Sequence, residues 1–150
     1  MRTTTIHALF IAATLGGGLA IGYLFLPGEW YQSLVKPVFT PPNWLFAPAW
    51  SILYVLIGIA GARTFIRERA SPPMALWVSQ MVLNFLWSPV FFGAQRPALG
   101  LGIIILLLIS ILLFIIRRWR LDRVSALLFV PYALWVSFAT LLNASIVYLN

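Results

Sequence analysis

The 150-residue chain contains no cysteine, one histidine and only three acidic residues, and charged residues make up 9% of it. The absence of cysteine excludes disulfides, thiolate nucleophiles and zinc sites built on sulfur. Soluble domains carry about 25% charged residues, so a soluble fold of this size would lack a polar surface. With 62% hydrophobic residues, residues 1–150 are expected to form a single integral membrane domain.

The few ionisable side chains lie where they exclude several chemistries. Glu29, Glu68 and Asp122 fall between the apolar runs, and His7 lies near one end of the first run. Proton-driven carriers place an ionisable relay inside the bilayer, and hydrolases need a Ser/His/Asp set, paired carboxylates or a metal. Proton pumping, a metal site and conventional hydrolysis are therefore disfavoured. The arginines lie between apolar segments rather than along one face, which disfavours nucleic acid as a partner.

Five apolar runs are long enough to cross a bilayer core, which requires roughly 20 residues in a helix. They cover residues 6–26, 44–65, 74–92, 98–116 and 124–148. The runs are continuous rather than alternating, so membrane β-strands are disfavoured. We therefore predict an all-α polytopic membrane protein built as a five-helix bundle.

The basic residues are distributed unequally between the two sets of connections. Eight of them lie before the first run or at the second and fourth connections, whereas the other two connections carry only Lys36 and Arg96. Because positive residues favour the cytoplasmic side, we expect a cytoplasmic N-terminus and an outer C-terminus. The same bias favours a plasma-type membrane over an outer membrane. A cleaved signal peptide is disfavoured, since Arg2 is the only charge ahead of the first run.

Uncharged polar and aromatic residues recur at helical spacing inside the runs. Gln80 and Asn84 share one face of the third run, and Trp87 and Ser88 extend it. Such a stripe either makes hydrogen bonds between helices or lines a ligand pocket, and its spacing leaves both open. Two further faces are aromatic: Trp50 with Tyr54, and Trp135 with Phe138 and Ala139. Trp77 and Trp119 lie near run ends and are expected to anchor the protein at the membrane interface.

The connection of residues 27–43, called the proline loop below, is unusual for a membrane linker. Its prolines restrict the backbone, and Trp30, Tyr31 and Phe39 supply apolar surface. We expect this loop to fold onto the mouth of the bundle, as a structural cap or as a lid over a cavity.

Three regions in order along the chain resemble the TspO/MBR family of tryptophan-rich sensory proteins and mitochondrial translocators. The first holds Trp30-Tyr31, Lys36-Pro37, Pro41-Pro42, Trp50 and Leu53-Tyr54; the second holds Gln80, Asn84, Trp87 and Phe91-Phe92; the third holds Pro131-Tyr132, Trp135, Phe138-Ala139-Thr140 and Leu142-Asn143. The likeness covers nearly the whole chain.

The resemblance implies a five-helix bundle, commonly a homodimer, whose outer cavity binds porphyrins, sterols and benzodiazepine-type ligands. Carried over residue by residue, the implied pocket uses Trp50, Tyr54, Gln80, Asn84, Trp135, Phe138 and Ala139, and the implied lid uses Trp30, Tyr31 and Lys36. The mammalian sterol pattern ends in a basic residue, whereas Tyr148-Leu149-Asn150 offers none here.

Three functions follow as hypotheses. The leading one is a membrane sensor that binds a tetrapyrrole such as protoporphyrin IX without covalent attachment, with Lys36 available to a propionate. The second is light- or oxidant-dependent breakdown of the bound porphyrin, for which Trp50 and Trp135 are the redox-capable candidates. The third is translocation of a porphyrin or sterol. The chain has no internal repeat of the kind from which many transporters are built, so its sequence gives this hypothesis little support.

Overall fold

Five helices in the computed structural model, which describes residues 2–150, are long and apolar enough to cross a membrane. Their spans are Thr3–Leu24, Asn43–Arg67, Pro72–Gly93, Pro97–Arg118 and Arg123–Leu149. Residues 2–150 contain no strand, so the predicted all-α five-helix class is confirmed. The ends of these spans lie at most three residues from those expected from the apolar runs.

Three of the spans are single helices for most of their length, and the other two are interrupted by proline. We number the α-helices in chain order: α1 Thr3–Leu24, α2 Glu29–Ser33, α3 Phe46–Arg67, α4 Pro72–Ser88, α5 Pro97–Arg118, α6 Arg123–Leu128 and α7 Val130–Leu149. A 3-10 turn at Asn43–Leu45 precedes α3, and a π-turn at Pro89–Gly93 follows α4.

The fifth span breaks between α6 and α7 because proline has no N–H to donate to the preceding turn. Pro131 lies in the first turn of α7. Phe129, the residue at the break, donates its N–H to Ala126 O at 3.1 Å and accepts from Ala133 N at 2.8 Å. Trp135 lies one turn after Pro131, so its position along the fifth span is set relative to this break.

Helix α1 lies at the edge of the bundle and packs mainly on α3. The two backbones approach closely at Gly58, where a Cβ would lie 2.8 Å from the Ile11 Cα. Beside this contact the Thr14 hydroxyl donates to Tyr54 O at 2.7 Å. Thr14 and Gly18 are the only buried residues of α1, so most of this helix faces away from the protein core.

A buried ion cluster joins α3, α5 and α6 at the arginine-rich end of the bundle. Asp122 accepts from both Arg63 Nε at 3.1 Å and Arg63 Nη2 at 2.8 Å, and from the Ser125 hydroxyl. Arg118 is fully buried, and its Nη1 lies 3.2 Å from Glu68 Oε2. Burial alone would raise the pKa of Asp122, but the hydrogen bonds from Arg63 and Ser125 outweigh it and hold that pKa well below its usual value.

Trp77 does not anchor the protein at an interface, and that expectation is wrong. Its side chain is buried, and its indole N–H donates to Ile57 O at 3.0 Å. The indole fits because Gly61 presents no side chain where Trp77 packs on α3. Trp119, in contrast, is exposed, and the Arg123 guanidinium lies 4.9 Å from its ring centroid.

The proline loop is folded onto the bundle at the opposite end from the arginines. Tyr31 of α2 is 4% exposed and packs edge-on against Phe91 and Phe92. Lys36 Nζ donates to the carbonyls of Tyr31, Gln32 and Leu34 at 2.9–3.3 Å. The loop is also fastened to the end of α7, because Asn150 accepts from Val35 N at 3.0 Å and donates to Val35 O at 2.8 Å.

Candidate ligand-binding site

A cavity of about 540 Å³ lies at the proline-loop end of the bundle. Its walls come from the last turns of α1, the first turns of α3, the last turns of α4 with the π-turn, and α5 and α7. Tyr31 of the proline loop also lines it. None of its lining residues is charged, so its walls suit a mainly apolar molecule.

One wall of the cavity is a cluster of aromatic rings on α3 and α7. The Trp50 indole stacks on the Tyr54 phenol, with centroids 5.4 Å apart and planes 27° from parallel. The same indole meets Trp135 edge-on at 6.3 Å, and Phe46 meets Trp135 at 5.9 Å. Residues 50 and 54 share a face because they are four apart on a helix, and Trp135 reaches them across the bundle.

The facing wall is held by a hydrogen-bonded clasp between three helices. Trp87 stacks on Phe91 with centroids 4.8 Å apart, and its Nε1 donates to Asn143 Oδ1 at 3.0 Å. Asn143 Nδ2 in turn donates to Pro97 O at 2.9 Å. The clasp ties the ends of α4, α5 and α7 together around the cavity.

The π-turn aims two adjacent phenylalanines at the cavity. Pro89 cannot donate to the previous turn, and the helix widens there, so that Ala94 N donates to Pro89 O at 2.8 Å over five residues. A π-turn of this kind is frequent at functional sites. Phe91 and Phe92 both line the cavity and both contact the Tyr31 ring, so the turn also supports the proline loop.

Polar groups at the deep end of the cavity form one hydrogen-bonded chain. Tyr54 Oη donates to Asn84 Oδ1 at 2.8 Å, and Asn84 Nδ2 donates to Tyr132 Oη at 2.7 Å. Tyr132 donates to Gln80 Oε1 at 2.8 Å. Tyr54 and Asn84 line the cavity, whereas Tyr132 and Gln80 do not. The polar stripe of α4 therefore does both things its spacing allowed, since Gln80 joins helices and Asn84 lines a pocket.

The amino-acid sequence matches a known family over nearly its full length. A model of the TspO/MBR family matches residues 10–149. The chain belongs to the TspO/MBR family. That membership, together with the five apolar spans, makes it an integral multi-pass membrane protein.

Several curated TspO/MBR relatives are similar to this chain over most of its length. "Protein CrtK" of Rhodobacter capsulatus is 42% identical over 100% of this chain and 95% of its own length. "Tryptophan-rich protein TspO" of Chlorobaculum tepidum is 40% identical over 95% of this chain and 96% of its own length. "Translocator protein" of Homo sapiens is 33% identical over 84% of this chain and 79% of its own length.

The structure brings most of the implied TspO/MBR pocket residues to the cavity. Those that line it are Trp50, Tyr54, Asn84, Trp135, Ala139 and, from the implied lid, Tyr31. The others lie outside its lining: Gln80 is fully buried behind Asn84, Phe138 packs between Phe39 and Trp135, Trp30 packs on Phe91, and Lys36 is bonded to loop carbonyls.

Two TspO/MBR site features were not assigned from the residues. Tyr132 was named only as part of the resemblance and was given no role, although it is the residue that joins Gln80 to Asn84. The Trp87–Asn143 bond was not foreseen either. A signal existed for both, because a buried amide or phenol in a membrane needs a partner.

Proposed function

We propose that this protein is a membrane sensor that binds a tetrapyrrole, protoporphyrin IX or a close relative, in the cavity beneath the proline loop. The observation that carries the proposal is an uncharged aromatic-walled cavity of about 540 Å³. Small-molecule sites of roughly 300–1,000 Å³ with apolar walls and a few polar groups are the common form. A flat macrocycle matches the Trp50 and Trp135 rings, which meet edge-on and so offer both a face and an edge to it.

An orphaned hydrogen-bond donor supports the same site. Trp135 lines the cavity, and its buried Nε1 has no acceptor within residues 2–150. A buried donor without a partner costs about 1–3 kcal/mol. A ligand that places an acceptor near Trp135 removes that cost, so binding gains from an interaction that the unliganded protein leaves unmade.

The charged groups of such a ligand belong outside the cavity. No lysine or arginine lines it, and a carboxylate in this lining would be unpaired and costly. We propose that propionates lie at the proline-loop end, where Lys36 is partly buried. A propionate there has to compete with the three carbonyls that Lys36 Nζ now contacts.

Titration of protoporphyrin IX against intrinsic tryptophan fluorescence tests the proposal. A double variant, Trp135→Ala with Tyr54→Ala, removes two rings from the aromatic wall and is expected to lose at least about tenfold in affinity, since each aromatic contact contributes about 0.5–1.5 kcal/mol beyond the area that it buries. Trp44→Ala is the matched control, because Trp44 is 72% exposed and does not line the cavity. An unchanged affinity in the double variant removes this cavity as the site.

Breakdown of the bound porphyrin is the second candidate, and the contact between Trp50 and Trp135 favours it. Two oxidisable indoles 6.3 Å apart lie beside the proposed position of the macrocycle. Illumination of the complex in air, with separate Trp50→Phe and Trp135→Phe variants, distinguishes it from binding alone. A discrete product formed over many turnovers and lost in a variant supports catalysis; stoichiometric bleaching contradicts it.

A further inference from the structure

The chain of hydrogen bonds at the deep end of the cavity continues beyond the residues that line it. Tyr132 and Gln80 are both 0% exposed, and neither lines the cavity. They are nevertheless connected to it through the Asn84 amide, whose oxygen accepts from Tyr54 and whose nitrogen donates to Tyr132. The orientation of the Gln80 amide is therefore linked to the hydrogen bonding of the Tyr54 hydroxyl.

The chain has a direction, because each hydroxyl carries a single proton. Tyr132 gives its proton to Gln80 Oε1, so it accepts from Asn84 Nδ2. Asn84 then turns Oδ1 toward Tyr54, which gives its own proton to that oxygen. In this direction the Tyr54 hydroxyl has no proton left for a ligand and acts toward the cavity only as an acceptor.

The reverse direction is compatible with the same side-chain positions. Rotating a carboxamide by 180° exchanges its oxygen and nitrogen with little change of shape. With both amides turned, Gln80 donates to Tyr132, Tyr132 donates to Asn84, and Asn84 donates to Tyr54, whose proton is then free. The observed direction has an additional contact, Gln80 Nε2 to Met81 Sδ at 3.8 Å, which the reverse direction lacks.

We propose that Gln80 and Tyr132 are positioning residues that determine whether the Tyr54 hydroxyl accepts from a ligand or donates to it. In the observed direction the cavity favours ligands that present an N–H or O–H group to Tyr54 over ligands that present a carbonyl there. The proposal rests on the proposed function to the extent that the cavity takes a flat apolar ligand. It adds a rule for the polar edge of that ligand.

Three planar tricyclic molecules of similar shape test this rule. Carbazole has one N–H donor, 9-fluorenone has one carbonyl acceptor, and fluorene has neither. The dissociation constant of each is measured with the full-length protein in detergent by quenching of tryptophan fluorescence. The readout is the affinity for carbazole divided by that for 9-fluorenone, so a contribution from the Trp135 N–H cancels between variants.

Gln80→Met is the main variant, because methionine has a similar length and no strong acceptor. Tyr132 then has only Asn84 Oδ1 to donate to, which turns the Asn84 amide and frees the Tyr54 proton. The ratio of carbazole affinity to 9-fluorenone affinity is expected to fall about fivefold or more. Carbazole loses a hydrogen bond to Tyr54 and 9-fluorenone gains one, and each bond changes affinity roughly two- to tenfold. Tyr132→Phe releases the Asn84 amide and is expected to change the ratio in the same direction, so the test does not depend on one variant folding.

A change of opposite sign for the two ligands separates this role from a packing defect. Weaker carbazole and stronger 9-fluorenone binding supports the proposal, whereas equal weakening of both, or an unchanged ratio, overturns it. The ratio change has to disappear on a Tyr54→Phe background, and its persistence there also overturns the proposal. If no probe, fluorene included, binds the unaltered protein, the rule is overturned, whereas the proposed function stands or falls separately on the titration with protoporphyrin IX.

Discussion

The phenol ring of Tyr54 lies directly over the α-carbon of Gly18, so closely that a Cβ at residue 18 would overlap the ring. This contact sets the position of the ring that stacks on Trp50 in the cavity wall. Helix α1 thereby determines the shape of the cavity although only two of its residues are buried.

Gly18→Ala is expected to displace Tyr54 and weaken binding of protoporphyrin IX. An extra methyl group in a packed site costs about 1–3 kcal/mol, which acts on fold stability or on the ring position. Gly16→Ala is the matched control, since a Cβ at residue 16 meets nothing within 4 Å. Equal affinity and equal melting temperature for the two variants would show that this contact does not shape the site.

Asn150 fastens the proline loop to α7 through a reciprocal pair of bonds with the Val35 backbone. Asn150→Ala removes both, and each bond contributes about 1 kcal/mol. We expect faster release of bound protoporphyrin IX in stopped-flow displacement and faster proteolysis within the loop. Tyr148→Ala serves as the control, because Tyr148 is 89% exposed and holds no bond to the loop. A release rate that is the same in both variants would show that the Asn150–Val35 bonds do not hold the loop over the cavity.

The buried carboxylate of Asp122 makes stability depend on pH at the arginine-rich end. The pKa of Asp122 is held below its unfolded value of about 3.9, so its contribution is fully present above that value and is lost as pH falls through the folded pKa. Asp122→Asn is expected to cost about 3 kcal/mol near pH 7, and the difference from the unaltered protein should shrink below about pH 4. Thermal unfolding in detergent measures it.

Glu29→Gln is the control for that measurement, because Glu29 is exposed and in no ion pair within the described chain. It should leave the melting temperature unchanged at both pH values. A pH dependence of the same size in Glu29→Gln and Asp122→Asn would mean that net charge, not the buried cluster, controls stability.

The absence of cysteine makes the orientation directly measurable. Gln32→Cys places a thiol on the exposed surface of the proline loop, and Ala70→Cys places one between α3 and α4 at the arginine-rich end. With a cytoplasmic N-terminus, a membrane-impermeant maleimide applied to intact cells labels residue 32 and not residue 70. The opposite labelling pattern contradicts the orientation expected from the distribution of basic residues.

The helices were predictable because length and apolarity suffice to define a membrane span. The shared face of Trp50 and Tyr54 was predictable from their spacing as well. The depth of the cavity was not predictable. Gln80 and Asn84 lie one turn apart on one face of α4, yet Asn84 lines the cavity and Gln80 does not. Spacing along one helix gives direction, whereas the position of the cavity depends on how neighbouring helices pack.

The ion cluster shows the same limitation. Asp122 and Arg118 are four residues apart, a spacing at which charges pair on a helix, but the apolar runs place Asp122 only in a connection between two spans and do not predict its burial. Their burial depends on Arg63, which lies 59 positions from Asp122 in sequence. Long-range contacts of this kind are specified by tertiary packing and leave no local pattern.

The most direct test of the cavity as the ligand site is equilibrium binding of protoporphyrin IX to two tryptophan variants on α7. Ala139→Trp fills the cavity, since Ala139 lines it, whereas Ser137→Trp adds the same indole on an exposed face. Affinity that is lost in Ala139→Trp and kept in Ser137→Trp is the result expected here. Undiminished affinity in a folded Ala139→Trp variant would contradict the account.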